Sequence, residues 1–275
     1  MYDLHVHTTA SDGILAPTEI IRLAVRCGLT GLAITDHDTL DGIDPARAFI
    51  RAEKIKLDFI PGIELNTDYG DDEVHILGYF IADPQGRMAD RLAYIRRERW
   101  SRAEKIVARL NQLGMDITMD HVQRLAGGRL IGRPHIARAL CELGLAASEE
   151  DAFDKYIDHG RPAYVRRYKF TPEEAISLIR SAGGISVLAH PGLIRDQAKI
   201  GEIINMGIEG LEVYYPEHTP AQVGDLTELA RAHRLVITGG SDFHGTGCGS
   251  RDRLGVSGID TLMMESIRRY HQQNK

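Results

Sequence analysis

Three apolar runs in this chain finish in the same way, each running without a break into histidine or aspartate. Leu32-Ala33-Ile34 leads into Thr35-Asp36-His37-Asp38, Ile185-Ser186-Val187-Leu188-Ala189 into His190-Pro191, and Leu235-Val236-Ile237-Thr238 into Gly239-Gly240-Ser241-Asp242-Phe243-His244. Between such runs lie amphipathic stretches, the pattern of strands joined by crossover helices. Strands are expected near 2–7, 31–35, 57–64, 73–81, 185–189, 208–214 and 235–239. Pro17 after Asp12-Gly13 opens a helix near 17–27, and Thr171-Pro172-Glu173-Glu174 opens another with a capping residue, a first-turn proline and early acids. In a parallel α/β barrel the loops after the strands meet around one mouth, which is where active sites lie.

Two further strands add donors to that mouth. His5 and His7 are two apart, so a strand points both to one face, the spacing that offers two imidazoles to one metal. Asp12 follows in the loop. Pro61-Gly62-Ile63-Glu64 ends an apolar run on a carboxylate, and Val74-His75-Ile76-Leu77 places a histidine inside one; burying either without a partner is unfavourable. Six histidines (His5, His7, His37, His75, His190, His244) and three carboxylates (Asp12, Glu64, Asp242) are therefore candidate ligands. A mononuclear site needs only three or four. Nine, with a carboxylate able to bridge, suit two or three cations on mixed imidazole and oxygen donors, a set compatible with Mn, Fe or Zn. The three cysteines, Cys27, Cys141 and Cys248, form no Cys-x-x-Cys pair, which argues against a thiolate site and a disulfide framework.

Residues 86–170 read differently. They show no convincing strand, only a helix at about 87–113 ending at Gly114 and shorter helices near 118–126, 133–143 and 148–157. The 275-residue chain has a net charge of -6, but this segment carries 17 Lys and Arg against 11 Asp and Glu, while the rest carries 16 against 28. An acidic body suits cations and a basic insertion suits an anionic substrate. The acidic balance argues against broad affinity for long nucleic acid. No apolar run approaches the roughly 20 residues of a membrane span, and the N-terminus shows no export signal, so a cytoplasmic protein is expected.

Asp3-Leu4-His5-Val6-His7-Thr8 with Ser11-Asp12-Gly13, Ile34-Thr35-Asp36-His37-Asp38, Ala189-His190-Pro191 and Ser241-Asp242-Phe243-His244 together resemble the four motifs of the PHP (polymerase and histidinol phosphatase) superfamily. The resemblance implies a distorted (β/α)7 barrel, formed by residues 1–85 and 171–275, carrying the helical insertion 86–170 as a substrate-binding cap. It also implies three divalent ions, usually manganese: one on His5, His7, Glu64 and Asp242, a second on Glu64, His75 and His190, a third on Asp12, His37 and His244. Asp36 and Asp38, beside a ligand, are placed behind the ligands or in proton transfer.

The insertion, with Arg96-Arg97-Glu98-Arg99-Trp100-Ser101-Arg102, is similar to the bacterial branch of 3',5'-nucleoside bisphosphate phosphatases and the related 5'-to-3' exoribonuclease. What this implies is hydrolysis of the 3'-phosphate of pAp-like nucleotides, with action on short 5'-phosphorylated RNA ends, and no membrane or protein partner. Arg99 and Arg102 share a helix face and Arg133 stands at a helix start, so these three are expected to grip a second phosphate. His135 and His218 are further candidates for substrate contact. Tyr214 and Tyr215 offer stacking surfaces, and Trp100 is expected in the core. A histidinol phosphatase or other small-molecule phosphomonoesterase is one alternative, and a non-catalytic metal- or nucleotide-binding module is another.

Overall fold

A computed structural model of the chain describes residues 1–70, 72–81, 86–127, 130–166, 168–245 and 253–274; Cys248 lies outside them. Backbone contacts divide the chain into two compact units, Met1–Asp90 with Lys169–Lys275, and Arg91–Tyr168.

The first unit is an α/β barrel. Its seven strands, β1 (Tyr2–Asp3), β2 (Gly31–Ile34), β3 (Asp58–Tyr69), β4 (Asp72–Tyr79), β5 (Ile185–Leu188), β6 (Gly210–Tyr214) and β7 (Val236–Gly239), lie side by side in chain order. Beyond β7 the ring nearly closes: Leu4 N–H donates to the Gly239 carbonyl at 3.2 Å, His7 N–H donates to that of Phe243 at 2.9 Å, and Val6 bridges Phe243 in parallel. The backbones approach so closely here that a Cβ on Gly240 would lie 2.4 Å from His5 N, so only glycine fits. Residues 4–7 were expected to continue β1. They stay extended but leave the regular ladder, because Val6 N–H donates to the Thr35 hydroxyl rather than to a backbone carbonyl.

One strand breaks the parallel barrel anticipated above. β4 runs antiparallel to both β3 and β5, and β3 continues to Tyr69, past the Glu64 at which it was expected to stop. β3 and β4 thus form a long hairpin, with Asn66 opposite His75 and Glu64 opposite Leu77. Reversal carries the beginning of β4 to the edge where the parallel strands end, so His75 reaches the barrel mouth from the opposite chain direction.

The helices follow their local signals. α1 (Pro17–Arg26) begins at its proline, the Glu19 carboxylate accepts from Ala16 N–H at 2.7 Å, and Ile20, Ile21 and Ala24 are buried. α2 spans Ile43–Ala52. α7 (Pro172–Ser181) opens on the Thr171–Glu174 capping box. α8 (Ala198–Asn205), α9 (Pro220–Ala232) and α10 (Thr261–Gln273) complete the barrel's helices among the described residues. Inside, Leu4, Ala33, Ile60, Leu77 and Val187 form one buried cluster, and Val6, Ile20, Leu32 and Ile34 another.

The described residues of the second unit hold helices and connecting loops with no strand: most of α3 (Arg87–Gln112), then α4 (Met119–Ala126), α5 (Arg133–Glu142), α6 (Glu149–Ala152) and one π-helical turn at Phe153–Ile157. Ile106, Leu110, Val122, Ile136, Leu140 and Ile157 make its own core. Among the described residues no helix is long and apolar enough to cross a membrane.

Candidate metal centre

The strand ends bring the nine candidate ligands to one place. Donor atoms of eight of them form three overlapping groups, within each of which all lie within 4.8 Å of one another: His5, His7, Glu64 and Asp242; His7, Asp12, His37 and His244; and His37, Glu64 and His75. The ninth, His190, expected beside Glu64 and His75, stands outside these groups and meets the site through Glu64. Glu64 is the hub. Its Oε2 lies 3.2 Å from His5 Nε2, 3.1 Å from His7 Nε2 and 3.0 Å from His37 Nδ1, while its Oε1 lies 2.9 Å from His75 Nδ1 and 3.3 Å from His190 Nε2. Asp242 Oδ1 stands 3.3 Å from His5 Nε2 and 3.1 Å from His7 Nε2. Asp12 lies 3.3 Å from His244 and 3.9 Å from His37. His37 therefore faces two groups with its two nitrogens, which assigns it to the Glu64 and His75 side as well as to that of Asp12.

The fit to cations can be judged from hydrogen bonding. His5 Nε2, both nitrogens of His7, His37 Nδ1 and Glu64 Oε2 are buried and have no hydrogen-bond partner. Buried polar atoms are almost always satisfied, and these five converge on the space between the carboxylates. Imidazole nitrogens and carboxylate oxygens are the donors that divalent transition metals take, so the residues fit divalent metal binding.

Protonation in the bare cluster follows the same geometry. Burial opposes charge on His5, but the Glu212, Glu64 and Asp242 carboxylates override it and hold the ring well above the ordinary imidazole range. Burial likewise opposes charge on His7, yet the Asp242 and Glu64 carboxylates, each 3.1 Å from its Nε2, push it up to about 10; His75 rises to about 9, against burial, on the charge of Glu64. Burial wins at His37, which falls to about 4. For Asp12, Glu64 and Asp242 burial favours the neutral acid, and the surrounding histidines reverse this and hold all three well below the usual carboxylate range.

Three site residues take a backbone conformation that non-glycine residues rarely adopt, Asp38 (φ 51°), His190 (φ 29°) and Asp242 (φ 53°). Such strain persists only where the surroundings enforce it. At Asp38 the enforcement is visible: its N–H donates to the Glu64 carbonyl at 2.8 Å and its Oδ1 accepts from Asn66 N–H at 3.1 Å, which fixes β3 beside the hub. Asp36 is buried and accepts from Thr8 N–H, the Thr8 hydroxyl and the Ser11 hydroxyl at 2.7–2.8 Å. It braces the loop between His7 and Asp12, and burial raises its pKa.

A cavity of about 370 Å³ opens onto the cluster, lined by Asp12, His37, Glu64, His75, His190, Asp242 and His244 together with Glu73, Val74, Leu193, Ile194 and Tyr215. Neither Asp36 nor Asp38 lines it. His218 does not line it either. Both its ring nitrogens are taken by backbone, Nδ1 by the Val213 carbonyl at 2.9 Å and Nε2 by Gly192 N–H at 3.0 Å.

In the helical unit, Arg99 Nη1 lies 3.6 Å from the point a Cβ on Gly132 would occupy, at the N-cap of α5, and His135 Nδ1 accepts from Gly132 N–H at 3.0 Å. Arg133 stands 3.4 Å from Asp158, and Arg102 Nε donates to the Val165 carbonyl at 2.7 Å. Trp100, expected in the core, is instead 38 % exposed, with its indole N–H on Glu104 one helical turn away. The cause is the phase of α3, whose buried stripe centres on Ile95, Ala103, Ile106 and Leu110 and leaves Trp100 at its margin.

Sequence reasoning overlooked Glu212 at the centre and gave Tyr215 only a stacking role. Glu212, within β6, bonds His5 Nδ1 at 2.9 Å, and Tyr215 donates its hydroxyl to Asp242 Oδ2 at 3.1 Å. For Glu212 the signal was present, a carboxylate inside the apolar run Leu211-Glu212-Val213. For Tyr215, nothing in an aromatic residue after a strand foretells a carboxylate partner.

The PHP domain family matches residues 3–199. A relative in Escherichia coli (strain K12), named 5'-3' exoribonuclease Rnm, is 39 % identical over 249 residues, spanning 89 % of this chain and 85 % of the relative. One in Chromobacterium violaceum, named 3',5'-nucleoside bisphosphate phosphatase, is 34 % identical over 256 residues, covering 91 % and 89 %. A crystal structure from Bifidobacterium adolescentis, assigned to a metal-dependent phosphoesterase, superposes with a TM-score of 0.88 at 33 % identity, covering 97 % of this chain and 94 % of the other. With the site's donor set beside these likenesses, the chain belongs to the PHP domain family and is a metal-dependent hydrolase of phosphoric esters.

Proposed function

We propose that the protein removes the 3'-phosphate from nucleoside 3',5'-bisphosphates such as pAp, yielding the 5'-nucleotide and phosphate, and that the same centre releases nucleotides from short 5'-phosphorylated RNA. The observation that carries the reading is the clustering of the candidate donors, five of their atoms buried without hydrogen bonds, with seven of the nine residues lining one cavity of about 370 Å³. That volume suits a small ligand.

Divalent ions held there, three in this reading and manganese before iron or zinc, lower the pKa of water and draw charge from the phosphoryl oxygens. In hydrolysis the water oxygen bonds to phosphorus, the bond from phosphorus to the leaving 3'-oxygen breaks, and that oxygen takes up a proton. The chain's own residues set the stage. Glu64 joins the donor groups on its two sides, Asp242 and Asp12 balance the charge, and Asp36 and Asp38 keep the ligand-bearing loops in place. Leu193, Ile194 and Val74 offer an apolar wall to the sugar or base.

Recognition of the second phosphate is assigned to Arg99, Arg102 and Arg133. Support comes from the basic balance of the insertion, from Arg99 beside the α5 N-terminus, a place where backbone N–H groups favour anions, and from the names borne by the Escherichia coli and Chromobacterium violaceum relatives. His135 belongs to the same α5 start.

The test is phosphate release by manganese-loaded protein from pAp beside 3'-AMP, 5'-AMP and histidinol phosphate, with nucleotide release followed from a 5'-phosphorylated RNA trinucleotide. Preference for pAp or the trinucleotide over both monophosphates is expected. Turnover of histidinol phosphate alone overturns the nucleotide assignment and leaves the hydrolytic centre in place.

A further inference from the structure

We propose that Glu212 is a positioning residue that sets two of the candidate ligands at once, fixing which nitrogen of His5 carries the proton and clamping the strained backbone of His190. The proposal rests on the metal reading of the centre given above.

Glu212 is fully buried, as is His5. Its Oε1 lies 2.9 Å from His5 Nδ1, and its Oε2 accepts from His190 N–H at 2.7 Å. A carboxylate oxygen accepts, so His5 donates from Nδ1, and the neutral ring then keeps its lone pair on Nε2. That nitrogen is the one facing Glu64 and Asp242, at 3.2 and 3.3 Å. At its other end the same carboxylate meets a residue whose φ is 29°, and His190 then turns its own Nε2 to within 3.3 Å of Glu64 Oε1. The two rings lie nearly parallel, 19° apart with centroids 5.9 Å from one another. One side chain thus holds histidines that address opposite oxygens of the hub.

The strand carrying Glu212 is built around this task. The pairing of β6 with β7 shifts by one residue between Glu212 and Tyr214, an irregularity of the kind that re-aims side chains near sites, and Tyr215 beyond it lines the cavity. Carboxylates behind metal-bound histidines fix ring orientation and tautomer, and their removal typically weakens metal binding about 10- to 100-fold.

The isosteric change Glu212→Gln separates this role from simple space filling. An amide offers one acceptor and one donor. His190 N–H is a fixed donor and claims the amide oxygen, which leaves the amide NH2 facing His5 Nδ1. The ring must then accept at Nδ1 and carry its proton on Nε2, toward the carboxylates, where no lone pair remains for a cation. Glu209, just before β6, provides the control: its Oε2 accepts from Ser186 N–H and the Ser186 hydroxyl, and among the described residues no histidine contact is seen for it.

The experiment measures zinc and manganese affinity by chelator competition for wild type, Glu212→Gln and Glu209→Gln, together with 15N spectra of histidine-labelled, zinc-loaded protein. The expected result is affinity lower by about tenfold or more in Glu212→Gln alone, with a protonated Nδ1 at His5 in the wild type. Equal affinity in wild type and Glu212→Gln overturns the proposal, as does an equal loss in Glu209→Gln. The wild-type spectrum decides even if the variant fails to fold: a proton on Nε2 of His5 overturns it outright. A wild type that takes up no metal contradicts the metal reading itself, a different failure from loss of the Glu212 effect.

Discussion

His75 Nδ1 stands 2.9 Å from Glu64 Oε1, and the two residues meet because β4 runs against β3. In a barrel with every strand parallel, the beginning of β4 would lie at the far edge and His75 would never reach the mouth. Glu64 faces five histidines in all, three through Oε2 and two through Oε1. Glu64→Gln is therefore expected to cut phosphate release by about 100-fold or more and to lower bound metal per chain, read by elemental analysis beside the rate. A variant with full metal content and full rate contradicts the role of Glu64 as hub.

Metal uptake is expected to release protons. Near pH 7.5 the bare centre holds His5 protonated, well above the ordinary imidazole range, together with His7 and His75, with pKa values of about 10 and about 9, while His37 is neutral at about 4. A cation needs a lone pair on each ring it binds, so it must displace a proton from His5, His7 and His75. The sign follows: affinity rises with pH up to about 9–10, by at most about tenfold per pH unit for each proton displaced. Calorimetric titration of metal into stripped protein, in buffers of different ionisation enthalpy, reads the proton count. Affinity that stays flat between about pH 6 and 8 contradicts this protonation pattern.

Asp36 accepts three hydrogen bonds from Thr8 and Ser11 and does not line the cavity. Asp36→Asn places an amide donor against these donors and is expected to lower stability by about 1–3 kcal/mol, seen in denaturant unfolding. The acid limb of the pH–rate profile should stay where it is. A displaced limb with unchanged stability would assign Asp36 to proton transfer.

Arg99→Ala is expected to raise KM for pAp about 10- to 100-fold, the loss of charge-assisted hydrogen bonds, while KM for a simple aryl phosphate changes little. Arg102→Ala should combine a similar effect with a weaker fold of the helical unit, since its Nε also secures the Val165 carbonyl. Equal changes in KM for both substrates contradict recognition of a second phosphate.

Much of the fold and most of the centre were legible in the sequence, for a physical reason. A histidine or carboxylate closing an apolar strand cannot be left buried and unpartnered, so His37, His190, Asp242 and His244 announce a shared edge before any coordinates exist. The extent and direction of strands were harder to read. β4 carries the same apolar alternation whichever way it runs, and the early end of β1 depends on the Thr35 hydroxyl, a tertiary partner. Glu212 was passed over although a carboxylate inside Leu211-Glu212-Val213 carries the same signal as His75, because spacing along strands selects ligands and not what stands behind them. Trp100 was misplaced for want of phase: over the 26 residues of α3 a shift of one position moves a side chain about 100° around the helix.

The most direct test of the central claim is to strip the protein of metal, return manganese in steps, and follow bound metal and phosphate release from pAp in the same samples. Negligible release from stripped protein is expected, with activity that climbs only as the centre fills. Full turnover in the stripped protein, or none in a fully loaded one that is folded, would contradict it.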